Sequence, residues 1–308
     1  MKNRIIIDTD AGVDDAQAIL AAFGHQETQV VAFTSVSGNV DVEKTTANVL
    51  KVLDIVDKDV PVYKGCAAPL VAEPQHASFI HGEDGLGDCG IPASKRKIAE
   101  KPAAQAIIDL VNQEPGELSI VALGPLTNIA IATMLDPDLP KKVKALTIMG
   151  GAVTGKGNTH VTAEFNIYFD PEAARIVFDR WPKVRVVDWE VTVANGLGDQ
   201  DIARLDGMDT PKAQFNAQIH MKTRQFIKEI FHEEMLFAAD ALAMAAALEP
   251  SLIKRKEVRH LTVELSGSAT RGQTVVDWNG MGGGIPNAEI ILEMDQPGFI
   301  EFIADGQK

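Results

Sequence analysis

Four aspartates crowd into eight positions of this chain: Asp8, Asp10, Asp14 and Asp15 in "DTDAGVDD", directly behind the apolar run Ile5–Ile7. Like charges at close range repel and raise one another's pKa. Such a cluster calls for a bound cation, for hydrogen-bond donors, or for water. Asp14 or Asp15 taken alone also reads as the cap of a following helix, where amide donors and the dipole favour a carboxylate. That reading leaves Asp8 and Asp10, at a strand end, without a role. A hard cation supplies one, because Ca²⁺ takes carboxylate, carbonyl and water oxygens, whereas Mg²⁺ keeps more of its waters. Two chemistries fit. One is a hydrolase whose Asp10 deprotonates a cation-held water; the other is a Mg²⁺ phosphohydrolase with Asp8 as nucleophile and Asp10 as acid.

A second group of chemistry-bearing residues lies in "NTHVTAEFNIYFDPEAA", 158–174, where Asn158, Glu164 and Asn166 precede a helix start. Amides and carboxylates converging in a loop suit a polyol, since each can hold a hydroxyl. Asn158 by itself also reads as ordinary turn chemistry.

Short β-branched runs alternating with helical patterns must position these groups. Strands are expected over 4–9, 30–36, 118–123, 143–149 and 184–189, with late strands over 261–265, 274–278 and 289–292. Helices are expected over 15–23, 42–56, 102–111 (proline in its first turn), after "GPLTN", over 170–181, 210–231 and 238–248. Repeated β-then-α units imply an α/β fold: a single domain over residues 1–308, with a mostly parallel, Rossmann-like open sheet covered by helices on both faces. Ligands of such sheets sit at the C-terminal ends of the strands. The segments "DTDAGVDD", "SVSGN", "LGPLTN" and "MGGA" all fall there.

The totals narrow the partners. With 308 residues, 45% of them hydrophobic, the chain can bury a large core, and a net charge of −14 argues against nucleic acid or an anionic membrane. No apolar stretch approaches the roughly 20 residues needed to cross a bilayer. Cys66 and Cys89 are too few for a disulfide framework or a zinc site, so a cytoplasmic, reducing location is expected.

Taken together, the motifs identify a family. The chain resembles the inosine–uridine nucleoside hydrolases, calcium-dependent N-ribosyl hydrolases. The resemblance runs through "DTDAGVDDA" at 8–16, "GNV" at 38–40, "HGEDGLGD" at 81–88, "LGPLTNIAIA" at 123–132, "IMGGA" at 148–152, "AEFNIYFDPEAARIVF" at 163–178 and "ADALAMAAALEP" at 239–250. It implies a small nucleoside substrate cleaved to ribose and free base, and a homodimer or homotetramer. It also implies Ca²⁺ held by Asp10, Asp15, the main-chain carbonyl of Leu123 and Asp240, with Asp10 as general base to the cation-held water. The ribose contacts it implies are Asp14, Asn39, Asn158, Glu164, Asn166 and Asp240, with Met149 lining the sugar pocket. Asp8 then reads as structural. A haloacid-dehalogenase-like phosphohydrolase, the alternative enzyme, lacks a downstream lysine and acidic motif at suitable spacing. A non-catalytic calcium-dependent binder of ribose or nucleosides is the third reading.

Two departures from the family pattern stand out. Many members carry histidine just before the last metal-binding aspartate, as the suspected acid for the leaving base; here that residue is Ala239. His81 and His232 are the candidate replacements, His81 on a loop near the base and His232 at the end of the long helix. Trp189-Glu190 stands where many relatives have leucine–aspartate. Trp189, Phe226 and Phe231 are candidates for the base pocket, each with an equally ordinary reading as packing.

Overall fold

Ile5, Ile6 and Ile7 show how the sheet is built. All three are buried, and successive side chains of a strand point to opposite faces: Ile5 and Ile7 join one core cluster and Ile6 the other. A strand buried on both faces is an apolar run rather than an alternation. The computed structural model describes residues 2–232 and 235–308, the side chain of Phe231 excepted. Eleven strands are present among these: β1 (Asn3–Thr9), β2 (Thr28–Ser35), β3 (Val62–Lys64), β4 (Leu118–Ala122), β5 (Ala145–Met149), β6 (Val184–Val187), β7 (Leu197–Gly198), β8 (Met235–Leu236), β9 (Ile253–Val263), β10 (Thr274–Asp277) and β11 (Ala288–Met294). Nine of them form one sheet in the order β10-β9-β11-β6-β5-β4-β1-β2-β3, while β7 and β8 pair separately. From β3 across to β11 the pairings are parallel; β9 runs antiparallel to both β11 and β10.

One face is covered by the helices Val13–Gly24, Val42–Ile55, Ala239–Leu248 and Gln296–Gln307, the other by Ala103–Gln113, Thr127–Leu135 and Pro171–Arg180. The mostly parallel α/β sheet expected from the chain is therefore present. Its order reverses at β1, which has β2 on one side and β4 on the other. Chains leaving β1 and β4 diverge there and leave a crevice at their carboxyl ends.

Several boundaries differ from expectation for local reasons. The strand expected over 184–189 stops at Val187, because the Asp188 carboxylate accepts from Val191 N and caps the helix Trp189–Ala194. Pro102 is the N-cap of its helix rather than part of the first turn. The strand expected from 261 begins at Ile253, since its exposed first half is held by antiparallel pairing with β11. Among the elements that had gone unseen are the edge strand β3, the pair β7 and β8, the helix Asp199–Asp206 and the last helix, whose Phe299, Phe302 and Ile303 pack against the core. Among the described residues no helix is long and apolar enough to cross a membrane.

Candidate active site

The aspartate loop folds back on itself at the end of β1. Asp15 is fully buried; its Oδ2 accepts from Gly12 N at 2.8 Å and from Asn39 Nδ2 at 3.3 Å, and its Oδ1 accepts from the Thr9 hydroxyl. The capping role open to Asp14 or Asp15 thus falls to Asp15, which serves the site as well. Asp10 receives the Asn39 N–H on Oδ2 at 2.8 Å, so the ends of β1 and β2 are tied together. Its other oxygen, Oδ1, is buried without a hydrogen-bond partner among the described residues, as is Asp14 Oδ1, whose neighbour is His81 Nδ1 at 3.9 Å. Glycines make the approach possible: a Cβ on Gly38 would sit 2.0 Å from Asp10 Oδ2, and one on Gly124 would sit 2.8 Å from Oδ1. Ala11, next to Asp10, takes φ +36°, a conformation unusual for a residue with a side chain.

Asp240 comes to the same place from the first turn of the helix Ala239–Leu248. Carboxylate oxygens of Asp14, Asp15 and Asp240 lie within 4.8 Å of one another. Burial, then repulsion from Asp15, pushes the Asp10 carboxyl well above the usual range; burial, then repulsion from Asp14 and Asp15, does the same to Asp240. Burial raises Asp14 to about 6. A hard cation fits this place: unpartnered buried carboxylate oxygens are the donor set it takes, and its charge would offset their repulsion. Of the four ligands implied by the resemblance, Asp15 and Asp240 belong to this tight cluster. Asp10 and Leu123 share its cavity, and the Leu123 carbonyl accepts from Asn166 Nδ2 at 2.7 Å.

Asp8 lies elsewhere. It is buried beneath the site, where Oδ1 accepts from Thr34 Oγ1 at 2.5 Å and Asn128 Nδ2 at 2.8 Å, and it does not line the cavity. A nucleophile cannot act from there, so the phosphohydrolase alternative is not favoured.

The polyol-type residues converge on the other wall. Glu164 Oε1 accepts from Asn166 N, and Oε2 accepts from Gly151 N and Ile167 N. Burial raises Glu164 to about 7 despite these amides. Asn166 Nδ2 is tied to the Leu123 and Met149 carbonyls, which leaves its Oδ1 for a ligand. Asn158 is exposed and accepts from Phe165 N at 2.9 Å, yet it lines the cavity with Asp10, Asp14, Asn39, Met149 and Asp240. The cavity has a volume of about 240 Å³, the scale of a small-molecule site.

These residues come from every part of the chain, and so does its match to known proteins. Residues 5–301 match the inosine-uridine preferring nucleoside hydrolase family. The chain belongs to this family. It is 35% identical to uridine nucleosidase 1 of Arabidopsis thaliana over 97% of this chain and 91% of that protein. It is 36% identical to a non-specific ribonucleoside hydrolase of Escherichia fergusonii over 99% and 98%. A solved plant nucleoside hydrolase superposes with a TM-score of 0.93 at 33% identity, over 100% of this chain and 99% of that one. Hydrolysis of a nucleoside N-glycosidic bond is accordingly the reaction of this enzyme.

The cavity of this nucleoside hydrolase has a second, different part. Besides the carboxylates, the wall includes the apolar side chains of Phe79, Trp189, Phe226, Ile227 and Phe237. Trp189 meets Phe237 edge-on at 5.2 Å, and Phe79 tilts against Phe226 at 5.5 Å. Trp189 and Phe226, candidates from the sequence, are on this wall; the side chain of Phe231 lies outside the described residues. His81 is buried on the cavity wall, accepts from Val13 N on Nδ1 at 3.3 Å, and is pushed down by burial to about 4. His232 is not brought here: it ends the long helix in the left-handed region, is exposed, and does not line the cavity. A different histidine of that helix, His220, lines it instead, along with Thr223, Ile227 and Ile230. Sequence reasoning passed over His220, although the steps of three, four and three residues mark one helical face.

Proposed function

We propose that this enzyme cleaves ribonucleosides to ribose and free base, with Ca²⁺ at the aspartate cluster and Asp10 as general base. The observation that carries this reading is the make-up of the cavity wall. Buried carboxylates and flat apolar side chains line one cavity, and no lysine or arginine lines it among the described residues. Such a lining suits a sugar carrying an aromatic base. A calcium ion held by Asp10, Asp15, the Leu123 carbonyl and Asp240 would polarise the attacking water and offset the crowded charge.

The chain's residues do the rest. Water attacks the anomeric carbon, its oxygen forming the new bond as the carbon–nitrogen bond breaks; the electron pair of that bond leaves with the base, which takes up a proton from solvent. Asp10 accepts the water proton through Oδ1, the oxygen that has no hydrogen-bond partner among the described residues. Asp14, Asn39, Asn158, Glu164, Asn166 and Asp240 hold ribose hydroxyls, and Met149 lies against the ring. The negative charge of the carboxylates among them favours the oxocarbenium-like transition state over the neutral substrate, which is what accelerates the step. His81, neutral at its lowered pKa, steadies the departing base through its Nε2–H and is not a store of protons; the exposed His232 is given no part. The acidic surface and free Cys66 and Cys89 support a reducing, cytoplasmic setting in nucleoside salvage. A homodimer or homotetramer is the assembly carried over from the family resemblance.

Relatives differ in the base they are named for, uridine in one and non-specific in another, so none sets the preference of this enzyme. Ribose release from inosine, adenosine, guanosine, uridine and cytidine, measured with Ca²⁺ and after chelation, tests the reading. Chelator-sensitive release is expected, with deoxyuridine slower than uridine by roughly 10⁴, because hydroxyl-binding groups would be left unpaired. Release that survives complete chelation, or equal rates on the two sugars, would overturn it.

A further inference from the structure

The apolar part of the cavity holds one polar ring that the proposed reaction leaves unused. His220, on the helix Pro211–Phe231, is fully buried and lines the cavity beside Phe79, Thr223, Phe226 and Ile227. Its Nδ1 lies 2.8 Å from the main-chain carbonyl oxygen of Asn216, one turn earlier. A carbonyl can only accept, so Nδ1 carries the hydrogen. Burial pushes the ring down to about 4 and keeps it neutral. Nε2 is then a bare lone pair, shielded from solvent and without a partner among the described residues. Thr223, one turn on, cannot serve it as it stands, because its hydroxyl donates to the Ile80 carbonyl at 3.0 Å. An acceptor buried without a donor is costly, and the donor has to arrive with a ligand.

His81 has the opposite polarity. Val13 N–H donates to its Nδ1, so in the neutral ring the hydrogen sits on Nε2. One cavity therefore offers a ring acceptor at His220 and a ring donor at His81.

We propose that His220 is a specificity-determining residue whose Nε2 accepts a hydrogen bond from a ring N–H of the nucleobase. The inference rests on the reading that the base occupies the apolar part. Bases with a lactam edge, a carbonyl beside a ring N–H, supply both groups the wall asks for. A ring nitrogen that is itself an acceptor would set lone pair against lone pair. The same contact rejects a base whose ring nitrogen is methylated.

The test compares kcat/KM for uridine and 3-methyluridine in the wild-type enzyme, in His220→Gln and in His220→Leu, each checked for folding by its melting curve. Glutamine returns an acceptor at similar reach; leucine keeps the bulk and has none. Wild type and His220→Gln are expected to prefer uridine by roughly 10- to 100-fold, and His220→Leu to lose that preference. Undiminished preference in His220→Leu overturns the proposal, because bulk rather than the lone pair would then discriminate. Equal rates on the two nucleosides in the wild type overturn it whether or not the variants fold. Absence of ribose release from every nucleoside is a separate outcome: it removes the proposed reaction, and this inference with it.

Discussion

Two of the places where this molecule buries carboxylates are treated in opposite ways by the chain. Glu289, 2% exposed on β11, is met by Lys183 at 2.7 Å, Arg185 at 2.8 Å and Lys256 at 3.2 Å. Burial alone would raise its pKa, but hydrogen bonds from Lys183 and Arg185 outweigh it and hold the group down to about 2. Asp10 and Asp240 are as deeply buried, share a cavity wall without lysine or arginine among the described residues, and are pushed the other way. Glu289 is neutralised by its own chain. The aspartates of the cavity have no such cation from the described chain, and their clustering beside an open space, rather than burial alone, is what marks a working site.

Four experiments break or sharpen this contrast. Asp10→Asn should lower kcat by about 10²- to 10⁴-fold while nucleoside binding persists, measured by ribose release and calorimetry; near-normal turnover would remove Asp10 from its role. Gly38→Ala should cost on the order of 10²-fold in kcat/KM, since a Cβ would press on Asp10 Oδ2 and displace the base. Ca²⁺ at 100 times its Kd should stabilise the folded enzyme by about 2.7 kcal/mol, read as a rise in melting temperature that chelation reverses. Glu289→Ala, by contrast, should destabilise by about 2 kcal/mol by stranding its cationic partners, with kcat unchanged and no response to Ca²⁺ beyond that of the wild type. The pH dependence has a definite sign. Because Glu289 is depressed from 4.5 to about 2, its contribution is complete above pH 4.5 and lost as pH falls towards 2. The Glu289→Ala variant should therefore lack that part of the acid-induced loss in a pH series of melting curves.

The contrast also explains which residues were legible beforehand. The aspartate loop, "EFN" and Asp240 stood out because each is a dense run of chemical groups at a strand end or helix start, where local pattern and function coincide. Glu289 passed as an ordinary strand residue, since its partners are distant in sequence: Arg185 on β6, Lys183 just before it and Lys256 on β9. Trp189 was placed one element early because a cap, Asp188, ended the strand before it. His232 and His220 share one helix, and composition gives no reason to choose between them; only the helix's packing turns 220 inward and leaves 232 at an exposed left-handed end.

By itself, then, the sequence determined the β-then-α rhythm, the crevice at the strand ends and the acid-rich half of the site, because strand burial, helix caps and the crossing of β1 act over a few neighbouring residues. The tertiary structure alone decided that Asp14, Asp15 and Asp240 share one space. It also decided that His81 presents a hydrogen where His220 presents a lone pair. A side chain's protonation and direction depend on which distant backbone groups it meets, and only the folded chain brings those together.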